Sequence, residues 1–572
     1  MTIPGNTGAM ALIVGAGPVG LTMACELSRY GIPLRIIDKE PQPDLKSKAL
    51  GIHARTMEVL ENMGVVDKFL EEGQKVHGGN LFYSGKRVLH ISFDELDTPY
   101  PFVLCLPQAD TERLLTEHLR TSGVEVERST QLQAFWQDDD SVTCSLSHAD
   151  GREENVDFLW VIGCDGSHST VRHRLNLEFE GAPYEECFAL ADVKVEWSNP
   201  EDEMFAYLGE ESAMILFPFG DGRYRLIAES SSGKPEGDAP SLACLQDLMA
   251  KLGPPGANIT DPRWTTWFRI HRRCVKKYRT GRIFLAGDAA HIHSPAGGQG
   301  MNTGIQDAYN LAWKLAFVSR GQAPESLLDS YEAERHPIAQ MVLRGTDLVT
   351  KVMFLRSPIA QHVRNRVGAW LMSHDAVQER AVRNGAMLTV NYRQSPIVGE
   401  QRSAITRVIL PGSRDAHEPG LTQWLDFAHG PCPGDRVPDG IVTDPASGAE
   451  TRLFEHIRGT THHLLLFTGV DTSAADYDSL IAAAGTAQSD YPDQVVPHYI
   501  VSGKSIPQEL LREASVLLDP ELSLHHKYGA SFHCLYLVRP DGYVGFRSQP
   551  VDSQVLGEFL SKVLLRHHAP VS

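Results

Sequence analysis

The sequence predicts an α/β protein: a parallel nucleotide-binding sheet with an antiparallel sheet inserted into it, followed by a second, smaller α/β domain. Three observations predict this. A glycine-rich turn joins a buried strand to a helix near the amino terminus. Two more buried strands, far along the chain, end in Asp165-Gly166 and Gly287-Asp288. Between them, residues from about 181 to 270 alternate apolar and polar in short runs broken by turns such as Gly220-Asp221-Gly222, the pattern of an antiparallel sheet.

The first strand is the apolar run Met10-Ala11-Leu12-Ile13-Val14, which enters Gly15-Ala16-Gly17-Pro18-Val19-Gly20 and then the helical Leu21 to Leu27. In this G-x-G-x-x-G, Gly15 permits a tight turn, Gly17 lets a pyrophosphate approach the backbone, and Gly20 lets the helix lie close to the strand. The helix start supplies unpaired N–H groups and the positive end of its dipole to the anion. A second strand, Leu34-Arg35-Ile36-Ile37, ends in Asp38, about 20 residues on, where a ribose-binding acid is expected. The unit reads as a Rossmann-like dinucleotide site.

Residues 56 to 64 then predict a helix closed by Gly64. Strand-like segments follow at Leu81-Phe82-Tyr83 and Val88 to Phe93, a helix at Glu112 to Arg120, and the second buried strand at Phe158 to Gly163. Arg282 to Ala286 is the third. Asn302 to Val318 is helical, as is 326 to 390 with brief breaks. Around 391 to 412 the pattern dissolves at Ser395-Pro396 and Pro411-Gly412, and again at Pro431 to Asp435, which marks a linker. The expected domains are 1–180 with 271–395 for the nucleotide, 181–270 with part of 77–105 as a substrate-binding sheet, and 400–572 as a thioredoxin-like α/β domain. The last lacks a C-x-x-C pair, so redox work there is not expected.

Bulk properties narrow the function. The 572 residues carry a net charge of −19, which argues against nucleic acid, since phosphate contacts need clustered Lys and Arg. Nine cysteines lie scattered without metal or disulfide spacing. Cys25, Cys105 and Cys534 read as core filling in a reducing compartment. No signal peptide and no spanning apolar run is evident, so a cytoplasmic protein is expected.

The three motifs together carry a resemblance. Gly15 to Gly20, then Asp165-Gly166-Ser167-His168-Ser169-Thr170-Val171-Arg172, then Gly287-Asp288-Ala289-Ala290-His291 with Pro295 to Asn302, resemble those of the class A, single-component FAD-dependent aromatic hydroxylases. The resemblance implies that Gly15, Gly17, Pro18, Val19 and Gly20 hold the FAD pyrophosphate and that Asp38, with Lys39 beside it, meets the adenosine ribose. It implies that Gly287-Asp288 binds the ribityl chain, and that Pro295, Gly298, Gly300, Met301 and Asn302 lie beside the flavin ring, with amides that would stabilise the reduced ring's negative charge. Gln108 matches the family's FAD-contacting glutamine. Asp165, Gly166 and Arg172 match the motif assigned to both FAD and the pyridine nucleotide. Lys48 stands where the family commonly has Arg. Leu50 stands where phenol hydroxylases have an Asp, which shifts the expected substrate from a simple phenol toward a polycyclic or polyketide one. The carboxy-terminal region also resembles the family's thioredoxin-like extension.

The implied activity is hydroxylation of a phenolic substrate with NAD(P)H and O2 through a flavin C4a-hydroperoxide. NADPH and NADH remain open, and a homodimer is left open as well. Pro295 and His53 are the catalytic candidates, with His291 and His293 weighed beside them. Phe217, Pro218, Phe219 and Arg223 are the substrate candidates, with Arg225 weighed beside Arg223 for an acidic substrate, each with a bland alternative as core or outward strand residue. His462-His463, His525-His526 and His567-His568 read as solvated pairs. Within the fold, the runner-up is antibiotic inactivation or Baeyer–Villiger oxidation. A flavin-binding sensor is the non-enzymatic alternative; it would hold FAD and never consume NAD(P)H.

Overall fold

Four short apolar strands form the middle of one six-stranded sheet, and their register explains why the motifs converge. In the computed structural model, which describes residues 8–44, 49–209, 212–229, 237, 239–293, 297–353, 374–404, 418–470 and 473–567, the order is Arg279–Thr280, Ile283–Leu285, Trp160–Gly163, Ala11–Val14, Leu34–Ile37, Val126–Glu127. All neighbours but the first pair run parallel. Val14 lies opposite both Gly163 and Ile37, and Gly163 lies opposite Leu285. The glycine turn, Asp38, the Asp165 motif and the Gly287 motif therefore leave the sheet from one carboxyl edge, where open α/β sheets bind ligands.

The inserted sheet has eight strands in the order His291–Ile292, Asn258–Cys274, Glu180–Glu196, Arg223–Glu229, Ala213–Pro218, Glu203–Leu208, Gly78–Tyr83, Lys86–Ser92. It is antiparallel except where Glu203–Leu208 runs parallel to Gly78–Tyr83. Alternation splits its faces. Met214, Leu216, Tyr224 and Leu226 pack with Leu245 and Met249 of the helix Leu242–Leu252. Ile215, Phe217, Arg225 and Ile227 point the other way, into a cavity.

The chain divides into two compact units, 1–309 with 335–388, and 310–334 with 389–572. The second contains an eight-stranded sheet in which His462–Phe467 and Val495–Val501 pair in parallel, the helix Ala474–Asp490 connecting them in the chain, while Cys534–Val538 and Val544–Gln549 return as a hairpin. This is a thioredoxin-like order. The expected linker holds a strand: Gly399–Arg402 pairs parallel with Phe546 to Gln549. Ser395-Pro396 precedes this edge strand, while Pro411-Gly412 lies outside the described residues.

The paired histidines also need correction. His462 and His463 are buried, as is His525, while His526 and His567 are exposed and His568 lies outside the described residues. Neutral imidazole tolerates a core when its nitrogens find partners. His463 Nδ1 meets His498 Nε2 at 2.9 Å, whose Nδ1 meets Ser515 Oγ at 2.7 Å. Burial pushes His462 down to about 3 and His498 to about 4, so both are neutral at physiological pH.

The second unit also encloses a fully buried ionic cluster. Arg539 forks onto Glu334 at 2.6 and 2.9 Å and reaches Asp541 at 2.5 Å, while Lys314 Nζ donates to Glu334 at 2.7 Å. Ser395 Oγ and Asn310 Nδ2 donate to Glu334 as well. Burial pushes the Lys314 ammonium down to about 8. Burial opposes ionisation of Glu334, but Arg539 and Lys314 hold its carboxyl well below the usual range. Two cations balance two anions, so removal of one member leaves an uncompensated charge. Arg539→Met is expected to cost about 3–5 kcal/mol in urea unfolding; a loss below about 1 kcal/mol would show that the cluster contributes little.

Candidate active site

The first helix, Pro18–Arg29, starts from the glycine turn with no side-chain cap. Its first backbone bond runs from Leu21 N–H to Gly17 O, which leaves the Val19 and Gly20 amides without helical acceptors. A Cβ on Gly20 would lie 1.9 Å from Gly15 O, whereas a Cβ on Gly17 would meet nothing within 4 Å. Gly20 is thus a packing glycine and Gly17 an opening one. Gly17, Pro18 and Val19 line a cavity of about 620 Å³. Asp38 accepts the Ala16 N–H at 2.8 Å and the Glu40 N–H at 2.9 Å, which fixes its carboxylate beside the turn; Lys39 lines the cavity.

Asp165 Oδ2 accepts the amides of Thr170 and Val171 at 2.6 and 3.2 Å, while Oδ1 is buried with no hydrogen-bond partner. Burial raises its pKa above the ordinary carboxylate value. Asp165 and Gly166 both line the cavity. Arg172 does not: its guanidinium donates to Ala289 O at 3.0 Å and Ser167 O at 2.7 Å and stacks on Phe179. It braces the second motif against the third.

The third motif is held from behind. Asp307 accepts the Gly287 N–H at 3.1 Å, meets His291 Nε2 at 2.7 Å, and accepts from Arg335 Nε at 2.7 Å, all out of contact with water. His291 is therefore a structural histidine. Asp288 is exposed to the cavity. Asn302, at the start of the long helix Gln299–Ser319, accepts the His53 N–H at 2.9 Å and donates to Gly51 O and Gly298 O at 2.8 and 2.9 Å. Gly298, Gly300 and Met301 line the cavity beside His53 and His293. His53 Nε2 contacts Gly297 O at 2.8 Å, its Nδ1 has no partner, and burial lowers its pKa. It is a neutral imidazole with a bare acceptor nitrogen. Lys48 and Pro295 lie outside the described residues.

Of the substrate candidates only Phe217 lines the cavity. Alternation turns Pro218 to the other face, and Phe219 packs toward Leu50, Val76 and Cys105. Arg223 is buried in an ion pair with Asp261, so its charge is spent there. Arg225, two residues on, is 2% exposed and reaches the cavity. It forks onto Asp192 at 2.8 and 2.9 Å, donates to Ala49 O at 3.1 Å and sits near the Trp264 ring. Leu50, Val103, Met204, Ala206, Ile215 and Ile227 supply the apolar wall.

Residues 9–346 match the family described as FAD binding domain. The chain is 34% identical to 6-methylpretetramide 4-monooxygenase of Streptomyces rimosus, covering 96% of this chain and 92% of that one. This protein belongs to the FAD-dependent aromatic hydroxylases. The hydroxylase is also 31% identical to pentachlorophenol 4-monooxygenase of Sphingobium chlorophenolicum, with 98% of each covered. Among solved structures it is similar to the anhydrotetracycline hydroxylase of Streptomyces rimosus, with a TM-score of 0.71, 29% identity, and 97% and 98% of the two chains covered.

The site fits FAD. Gly17 leaves room for a pyrophosphate against free helix amides, Asp165 Oδ1 awaits a donor, and Asp288 faces the same space. Gln108 also lines it, with Oε1 accepting from Ala49 N at 3.2 Å and Nε2 donating to Glu112 at 2.8 Å. The sequence offers Arg225 beside Arg223 as a residue that could orient an acidic substrate, with an outward strand charge as the plainer reading. Glu112, Asp307 and Arg335 leave no comparable signal.

Gly17→Ala is expected to leave the FAD-free protein's melting temperature within a degree or two while weakening FAD at least about tenfold, roughly 1.4 kcal/mol. Gly20→Ala should destabilise the FAD-free protein itself by about 1–3 kcal/mol; equal melting temperatures for the two variants would contradict the division of roles. Burial pushes the Glu112 carboxyl up to about 7, against the pull of Gln108 and Arg128. Its stabilising contribution is therefore full below the ordinary glutamate value and lost as pH rises through 7. Glu112→Gln should gain on the wild type between pH 4.5 and pH 8, by up to about 3 kcal/mol; a gap that denaturant titration finds independent of pH would overturn this.

Proposed function

We propose that this hydroxylase inserts oxygen into a polycyclic phenol, with one oxygen of the substrate held by Arg225. The observation that carries the reading is the cavity wall: apolar side chains from one sheet face, and a single arginine among the described lining residues. Apolar walls with few polar groups suit flat multi-ring ligands. Leu50, 6% exposed, adds to that wall. The redox chemistry, two electrons taken from NAD(P)H and O2 made reactive toward an aromatic ring, comes from bound FAD.

The chain's own residues bind, orient and shield. Asp192 and Ala49 O lock the Arg225 guanidinium in one plane, so a phenol oxygen meets a pre-aimed donor. An ionised phenol is the more electron-rich ring. His53 lines the same cavity with an unpartnered Nδ1, which can accept a proton from the phenol. Asn302 ties the loop at Gly298 to Gly51 and His53, which keeps the reacting end of the cavity in a fixed shape.

The test is substrate-stimulated NAD(P)H oxidation over phenols of increasing ring number, with product mass measured. A gain of one oxygen, in a product from a substrate of three or more rings, is the expected result. Stimulation by single-ring phenols alone would overturn the substrate class, and FAD-loaded protein that never consumes NAD(P)H with any phenol would favour a sensor. Arg225→Lys should lower kcat/KM at least about tenfold while FAD content holds, because an ammonium cannot reproduce the fork. Asp288→Ala should raise the flavin-free fraction on purification; full flavination would remove Asp288 from the site.

A further inference from the structure

A second cleft, of about 300 Å³, lies between the ends of the strands Glu180–Glu196 and Asn258–Cys274 and the helix Asp329–Met353. In a chain of net charge −19, four cations line it, Arg272, Arg273, Lys276 and Arg344, along with His336 and only one acid, Glu180. Lys276 is neutralised by Glu180 at 2.5 Å and Arg272 by Asp347 at 3.0 Å. Among the described residues Arg273 and Arg344 have no carboxylate partner, and Arg273 Nε is buried with no acceptor at all. Among the described residues Arg344 donates only to Gln340 Oε1, at 3.3 Å. Two guanidiniums with spare donors on one cleft match a phosphate dianion, which accepts forked bonds from both.

Its position suits the reaction. Arg273 pairs in register with Ile292, and Ile292 lines the main cavity. Arg273 also acts electrostatically on Arg172 of the second nucleotide motif. The sequence has one complete glycine fingerprint, so the nicotinamide co-substrate lacks a nucleotide domain of its own and needs an anchor near the FAD site. We propose that this cleft binds the adenosine 2′-phosphate of NADPH and makes the enzyme prefer NADPH to NADH. The proposal rests on the hydroxylase reading for its purpose and on the cleft for its chemistry.

The test titrates adenosine 2′,5′-bisphosphate, adenosine 5′-monophosphate and inorganic phosphate into FAD-loaded protein by calorimetry. The bisphosphate is expected to bind at least tenfold more tightly than either of the others, less tightly as salt rises. Arg273→Gln and Arg344→Gln should each weaken it at least tenfold, and Arg344→Lys should recover part of the loss. In steady state the ratio of kcat/KM for NADPH to that for NADH should fall at least tenfold in the double variant. Arg344 is exposed, so its variant is expected to fold, and flavin absorbance reports whether each protein has. Bisphosphate binding no better than inorganic phosphate would mean a general anion site and overturn the proposal, as would variants that bind like the wild type. The binding pattern intact in a protein that hydroxylates no phenol would instead overturn the hydroxylase reading alone.

Discussion

Asp307 is the group on which the site's arrangement depends. A carboxylate sealed from water is costly, and it persists only because Arg335, His291 and the Gly287 amide all turn toward it. Burial acts to raise its pKa, yet Arg335 and His291 hold it below the ordinary value. The ionised form fixes three things at once: the start of the Gly287-Asp288 turn, the first turns of the long helix, and the strand that carries His291 and Ile292. Loosening it would move Asp288 relative to Gly17, and the two would no longer line one cavity.

The sheet edge converts sequence distance into proximity. Parallel neighbours in register deliver Gly15, Asp165 and Gly287 to one row, so residues more than a hundred positions apart act as a single surface. The inserted sheet works differently: alternation alone decides which residues meet the cavity. Ile215, Phe217, Arg225 and Ile227 share a face, and their immediate neighbours serve the helix behind.

That difference explains what the sequence could tell. The three buried strands and their turns are legible because each is a local pattern: an apolar run, then glycine or aspartate with a specific backbone task. Gly20 is identifiable from spacing because the clash it avoids lies five residues away. The partners of Asp307 and Arg225 are not, since burial and charge pairing join residues by tertiary contact, and neither leaves a periodic trace. Strand phase is similarly silent: Arg223 and Arg225 look equivalent until their neighbours Asp261 and Asp192 are seen. The histidine pairs misled because composition treats histidine as polar, whereas a neutral ring with one acceptor and one donor can be core. The edge strand Gly399–Arg402 was hidden by short length and flanking breaks.

The buried cluster of the second unit has a consequence for how the chain is made. Glu334 and its guanidinium partner Arg539 are 205 residues apart, and Lys314 precedes both. At ribosomal speeds, Lys314 and Glu334 emerge on the order of ten to forty seconds before Arg539 exists. During that interval Glu334 can meet Lys314 but lacks the guanidinium fork that completes the cluster. The buried cluster of 310–334 is thus completed only once the carboxy-terminal hairpin has been synthesised.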